Sequence, residues 1–273
     1  MSFLDDTPQI DDSTVDDAGL QFPVAQWHNG DPKLAQLGGV PHLGGVVLPL
    51  KYFAEAPVIP GWQKTANFTF ASGKSEPALT AQKIPLAVVR TRFRWFKRVG
   101  AEIVYYPRAA YAEGTDMRGH LQMVCGLYGY PEAVVFTFKG TASKEVERLL
   151  REFSAKVVEA ANRLAVDKAR QSGPSTKAKR YPRFAFYLKL AAGPAIMAGQ
   201  KGREHIVTPP VMELPAEVNA DYLHKLYVGR ERLLALQELY HHAEPWSAAW
   251  DNPGAETAAD DEAPGPEDEP HAG

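Results

Sequence analysis

Residues 90–98 read RTRFRWFKR, five Lys or Arg and three aromatic side chains in nine positions. Guanidinium forks match phosphate oxygens in bidentate geometry, and flat rings stack on unpaired bases at roughly 1–3 kcal/mol per base. The chemistry on offer is therefore non-covalent capture of a polyanion with exposed bases. In a β-strand successive side chains face opposite ways. Arg90, Arg92, Arg94, Phe96 and Arg98 then share one face, and Thr91, Phe93, Trp95 and Lys97 share the other. The first face would meet phosphates, while Phe93 and Trp95 anchor the second in a core. The competing explanation is an edge strand whose like charges deter aggregation.

Other basic–aromatic pairs could line the same groove: Lys51 with Tyr52, Trp62 with Lys64, Phe68 with Phe70, and Tyr105 and Tyr106 with Arg108. Tyr128 and Tyr130 lie in GLYGY, where Gly126 and Gly129 suggest a turn that exposes rings. Lys139 opens KGTASKE, a strand-to-helix turn whose backbone N–H groups suit an anion. The candidate phosphate contacts are thus Arg90, Arg92, Arg94, Arg98, Lys64 and Lys139. The candidate stacking rings are Phe96, Trp62, Tyr128 and Tyr130.

The formal net charge of −3 conceals a partition. Residues 1–20 hold six Asp and residues 254–273 hold seven acids, and neither segment has a Lys or Arg. The body, 21–253, carries all 30 Lys and Arg against the remaining 20 acids, a formal +10. Arms of this composition bury little and are expected to be disordered. They either aid solubility or compete with an anionic ligand for the basic body; in the second case, deleting 254–273 tightens binding at low salt. Residues 167–183, with six basic residues among Ser, Gly and Pro, read as a linker or phosphate-contacting arm.

The elements that must position these groups are mostly strands. Runs at 46–50, 66–71, 86–98, 101–106, 120–130 and 133–139 are rich in β-favouring residues and separated by Gly, Ser and Pro. A helix follows at 141–165, with Val146, Leu149, Leu150, Phe153, Val157, Ala161 and Leu164 at helical spacing. Ser143 is its expected N-cap and Glu145 a first-turn acid. Beyond the basic linker, a strand with Phe184, Phe186 and Leu188 on one face precedes a helix from Asn219, weakened at Gly229. The predicted class is α+β, mainly β: an OB-like antiparallel barrel with its helix over 21–166, and a strand–helix extension over 184–253.

Catalytic and metal-binding patterns are weak. SGKS at 72–75 imitates a phosphate loop but has Phe68 where that loop needs glycine, and Pro77 blocks the helix. No His pair has metal-ligand spacing, and the single Cys125 lies in an apolar strand. No enzyme activity and no cofactor are expected. A nuclease would require Glu102, Glu113 and Asp116 to converge. The N-terminus lacks the basic and apolar segments of a secretory signal, and no apolar run reaches membrane-spanning length. A cytoplasmic protein with no membrane partner is expected.

A short barrel followed by a helix, a basic–aromatic strand face and an acidic tail resembles the single-stranded-DNA-binding proteins of bacteria and their phages, which are OB-fold barrels. The resemblance is architectural and covers about residues 40–165 plus the tail. It implies binding of single-stranded DNA with little sequence preference in replication, recombination or repair. It also implies an acidic tail that recruits partner proteins. This tail ends in Ala272-Gly273 without the terminal hydrophobic residue of that family, so its electrostatic role is the one carried over. Residues 181–253 have no counterpart there and either complete the barrel or build a homo-oligomer interface. RNA binding, and an adaptor role toward an acidic protein, are the alternatives. Charge reversal at Arg92 and Arg94 is expected to abolish binding without unfolding the protein.

Overall fold

Seventeen residues, Lys83–Val99, form the longest strand, and the sheet is organised around it. The computed structural model describes residues 22–30, 44–70, 74–99, 102–110, 115–171, 180–198 and 205–248. The two acidic arms and the middle of the basic segment 167–183 lie outside the described residues.

In chain order the strands are β1 (Val24–His28), β2 (Gly45–Pro49), β3 (Gln63–Thr69), β4 (Ser75–Ala81), β5 (Lys83–Val99) and β6 (Glu102–Tyr106). They continue with β7 (Arg118–Leu127), β8 (Ala133–Lys139), β9 (Leu188–Ala192), β10 (Ile196–Ala198), β11 (His205–Val207) and β12 (Pro210–Met212). One sheet runs β12-β9-β5-β7-β8-β1-β2-β4-β3, with β6 also paired to β5, and β10 and β11 form a separate hairpin. All of its pairings are antiparallel except β1 with β8.

The class is α+β with a large, mostly antiparallel sheet that is not a closed barrel, where the sequence suggests a small OB-like one. The strand path ends at β12 and β3, and among the described residues no pairing joins those ends. The length of β5 explains the difference. One of its edges takes β7, and the other is divided between β9 at Lys83–Leu86 and β6 at Trp95–Val99. The 184–253 extension therefore contributes strands to the sheet itself instead of packing on a finished barrel.

One face of the sheet carries the main core. Ile84, Leu86 and Val88 of β5, Leu121, Met123, Cys125 and Leu127 of β7, and Val134, Phe136 and Phe138 of β8 pack there. The predicted long helix covers them. It comprises α1 (Thr141–Phe153), a single π-turn at Ser154–Val158, and α2 (Glu159–Gln171). Val146, Leu149, Leu150, Phe153, Val157 and Ala161 are buried as their spacing predicts, but Leu164 is exposed. The helix begins at Thr141, where its periodic stretch starts, but its cap differs from the one expected. Gly140 is the N-cap, Ser143 lies inside the first turn donating to the Gly140 carbonyl at 2.7 Å, and the first turn holds no acid. Glu145 pairs with Arg148 instead.

The C-terminal helix is interrupted where glycine predicted weakness. Asn219 caps α3 (Ala220–Leu226) by accepting from the Tyr222 amide at 2.9 Å. The chain then turns at Gly229 (φ +88°) into α4 (Arg230–His242) and α5 (Glu244–Ala248). The break resets the helical phase. Leu223 and Leu226 join the main core, whereas Leu236 of α4 is buried on the opposite face of the sheet and Leu234 is exposed. Phe184 departs similarly, because a short turn at Arg183–Ala185 sends it to the opposite cluster while Phe186 and Leu188 stay in the main core.

Candidate nucleic-acid interface

The arginine face is set by one irregularity in β5. Pairing with β7 shifts between Val88 and Arg90, leaving Val89 as an extra residue. Strict alternation would carry Ile84, Leu86 and Val88 into Arg90 and Arg92 on the same side. A bulge places two residues against one partner residue and reverses the parity beyond it. Arg90, Arg92, Arg94, Phe96 and Arg98 therefore lie on the face of Ala87 and Val89, away from α1 and α2. Phe93 takes the other side against the main core, as the sequence predicts. Trp95 accompanies it, its ring meeting Phe93 edge-on at 5.0 Å and its indole N–H donating to the Arg108 carbonyl.

Register then builds rows across β5, β7 and β8. Arg94 faces His120, which faces Lys139; Arg92 faces Gln122, which faces Thr137; Phe96 faces Arg118. The same face thus gathers Arg90, Arg92, Arg94, Arg98, Arg118 and Lys139. Strands β5, β7 and β8 together contain no Asp or Glu.

The three central arginines lie against rings. The Arg94 guanidinium sits 3.4 Å from the Tyr105 ring centre, Arg90 3.8 Å from Tyr240, and Arg92 4.1 Å from Trp246. Such contacts contribute about 0.5–2 kcal/mol each, more where water is excluded. Arg92 also donates from Nε to Gln122 Oε1 at 2.8 Å and from Nη1 to the Trp246 carbonyl at 3.0 Å. Gln122 in turn donates to Thr137 at 3.4 Å. Arg90 donates to the Tyr240 carbonyl at 2.7 Å and pairs with Glu244 at 3.5 Å.

Arg92 and Arg94 are consequently 7% and 3% exposed, so the face is not an open groove along its whole length. Arg90 and Arg92 lie beneath α4 and α5, and Arg94 lies beneath the Tyr105 ring of β6. The other end of the face, with Arg98 and Arg118 exposed and Lys139 half-buried, is accessible.

The remaining sequence candidates are dispersed. Phe96 is buried, its ring near Tyr105 and His120, so it offers no free platform. Tyr130 is buried too, its hydroxyl donating to Glu132, and burial together with that bond pushes its pKa up to about 12. Tyr128 is exposed but lies at the far end of the β7–β8 hairpin, six residues and so about 20 Å along the strand from Gln122. Trp62 packs against the main core, on the other face, and Lys64 pairs with the core residue Leu79. Lys64 lies on the edge strand β3 and Trp62 just before it, six places from β5 in sheet order. The structure brings together only the β5 residues and Lys139.

Sequence inspection named Tyr105 but missed Arg118, His120, Gln122, Tyr240, Glu244 and Trp246. Parity within HLQMVCGL places His120 and Gln122 on one face. Their alignment with Arg94 and Arg92 depends on strand register.

His120 is 1% exposed, with Arg92, Arg94, Lys139, Tyr105 and Phe96 around it. Burial first, and then the charges of Lys139, Arg94 and Arg92, hold its pKa well below the usual 6.5. An unfolded chain takes up a proton near pH 6.5, while the folded one resists it. Stability from this group is therefore complete above about pH 6.5 and falls on acidification, by up to about 1.4 kcal/mol per pH unit. His120→Gln is expected to remove that component, read as urea midpoints at about pH 7.5 and 5.5 for both proteins. An equal acid loss in the variant would refute the assignment.

Among the described residues no group of three or more His, Cys, Asp or Glu is placed to hold a metal ion, and no helix is long and apolar enough to cross a membrane. Asp116 lies 4.0 Å from Lys97. Burial raises the Cys125 pKa and leaves the thiol inert within the core. No protein-family model, curated protein or solved structure matches the chain.

Proposed function

We propose that this protein binds single-stranded DNA with little sequence preference, through the shared face of β5, β7 and β8, in replication, recombination or repair. The observation that carries the proposal is the charge on that face: six Lys and Arg side chains on three adjacent strands that contain no acid. Alternate residues on β5 are about 6.7 Å apart, so the arginines form a linear array able to track an extended backbone. The aromatic groups around them favour unpaired bases over duplex. A strand face, and not the interior of a closed OB barrel, would be the binding surface.

The test is titration of labelled oligo-dT against salt. Six phosphate contacts on a single strand predict a log–log slope near −4, at about 0.7 per contact. Unlabelled oligo-dT should compete far better than duplex of the same length, and oligo-U separates a DNA from an RNA preference. Equal competition by duplex would rule out the stacking component.

The second reading is an adaptor for an acidic protein segment. Glu244 favours it, since a carboxylate of a protein helix already lies on Arg90. Failure of oligo-dT to bind at any salt concentration, with an acidic peptide binding instead, would select it.

A further inference from the structure

We propose that α4's last turn and α5, residues 240–248, form a displaceable latch on the arginine row, closed in the free protein and released by single-stranded nucleic acid. The inference rests on the single-strand reading above and adds regulation of that same surface.

Each part of the latch supplies what a nucleotide would supply. The Glu244 carboxylate lies 3.5 Å from Arg90, where a phosphate oxygen would pair. The Trp246 indole covers Arg92 at 4.1 Å and the Tyr240 ring covers Arg90 at 3.8 Å, where bases would stack. The Tyr240 and Trp246 carbonyls accept from the same two guanidinium groups. A nucleic acid strand and this segment cannot both hold Arg90 and Arg92.

Anchoring is unequal along the segment. At its start Arg232 donates to the Tyr130 and Pro131 carbonyls at 2.8 and 2.7 Å, and Leu236 is fully buried. Gly126 makes that seating possible, since a Cβ there would fall 2.5 Å from Leu236 Cδ2 and 2.9 Å from Arg232 Nη2. Past Leu236 the fully buried side chain is Ala243, and α5 buries none of its own. The first half is bolted to the sheet by Arg232 and Leu236, and the second is held by the arginines it covers, by Ala243 and Trp246 against the apolar cluster, and by the Tyr240 ring on Phe184. Such a division lets the end open without unfolding the start.

Two measurements on the full chain decide the matter. The first compares wild type with Glu244→Gln/Trp246→Ala for binding of a fluorescein-labelled oligo-dT of about 20 nucleotides at low salt. The variant is expected to bind about tenfold tighter, the affinity a latch closed in about nine molecules of ten withholds. The second is hydrogen exchange of the wild type, which needs no altered protein. With saturating oligo-dT, amides of 240–248 should exchange about tenfold faster, while those of Phe93–Val99 do not.

Equal or weaker binding by the variant, or slower exchange at 240–248, overturns the latch while oligo-dT binding by the wild type preserves the single-strand reading. Absence of binding by both proteins overturns both. Binding by the variant alone supports both.

Discussion

Arg92→Glu is expected to destabilise the protein by about 3–5 kcal/mol, the range for leaving a buried charged group without its partners. The side chain is 7% exposed, and its guanidinium satisfies two acceptors, Gln122 Oε1 and the Trp246 carbonyl. A carboxylate there would confront both oxygens with a like partial charge and remove the cation from beneath the Trp246 ring. Against a typical total of about 5–15 kcal/mol, this is a large fraction. Arg92→Lys should cost less, because it keeps the charge but loses the planar fork. Urea unfolding of the three proteins checks the order; a wild-type midpoint for Arg92→Glu would mean that Arg92 is not packed as described. This revises the expectation from sequence that reversal at Arg92 and Arg94 would abolish binding and spare the fold. With Arg94 3% exposed, loss of binding in that double variant would report unfolding.

The informative reversal is at the accessible end of the same face. Arg98→Glu/Arg118→Glu/Lys139→Glu changes two exposed side chains and one half-buried one. Surface substitutions of this kind usually alter stability by no more than about 0.5 kcal/mol each. Their effect on oligo-dT should be large, since three attractive contacts become repulsive. We expect at least a 100-fold loss of affinity and a salt slope shallower by about 2, at about 0.7 per lost contact. Retained affinity and slope would show that the strand, if bound, runs elsewhere. The two variants thus separate fold from binding, which no substitution at the centre of the row can do.

Much of the local structure was legible from sequence because it depends on periodicity and caps. The strands at β5, β7 and β8, the helix of α1 and α2, the Asn219 cap and the weakness at Gly229 all follow from spacing and backbone preference. The division of RTRFRWFKR into an arginine face and a core face was legible for the same reason. The helix cap was misplaced by three residues because Gly140, whose φ of +60° suits glycine, caps the helix without a side chain.

Only the tertiary structure decided which side of the sheet the arginines occupy and what meets them. Both Val88 and Arg90 are even-numbered, so alternation alone runs the core stripe of Ile84, Leu86 and Val88 straight into the arginine stripe. A single extra residue at Val89 separates them, and bulges carry no reliable sequence signature. Sheet closure, likewise, depended on long-range competition for the edges of β5, which β9 and β6 divide. The pairing of Arg90 with Tyr240 and of Arg92 with Trp246 joins residues about 150 positions apart. Composition specified a basic row beside aromatic rings, because charge and alternation are local properties. Whether that row faced water, a ligand or the chain's own C-terminal helices was settled by packing, a property of the whole fold.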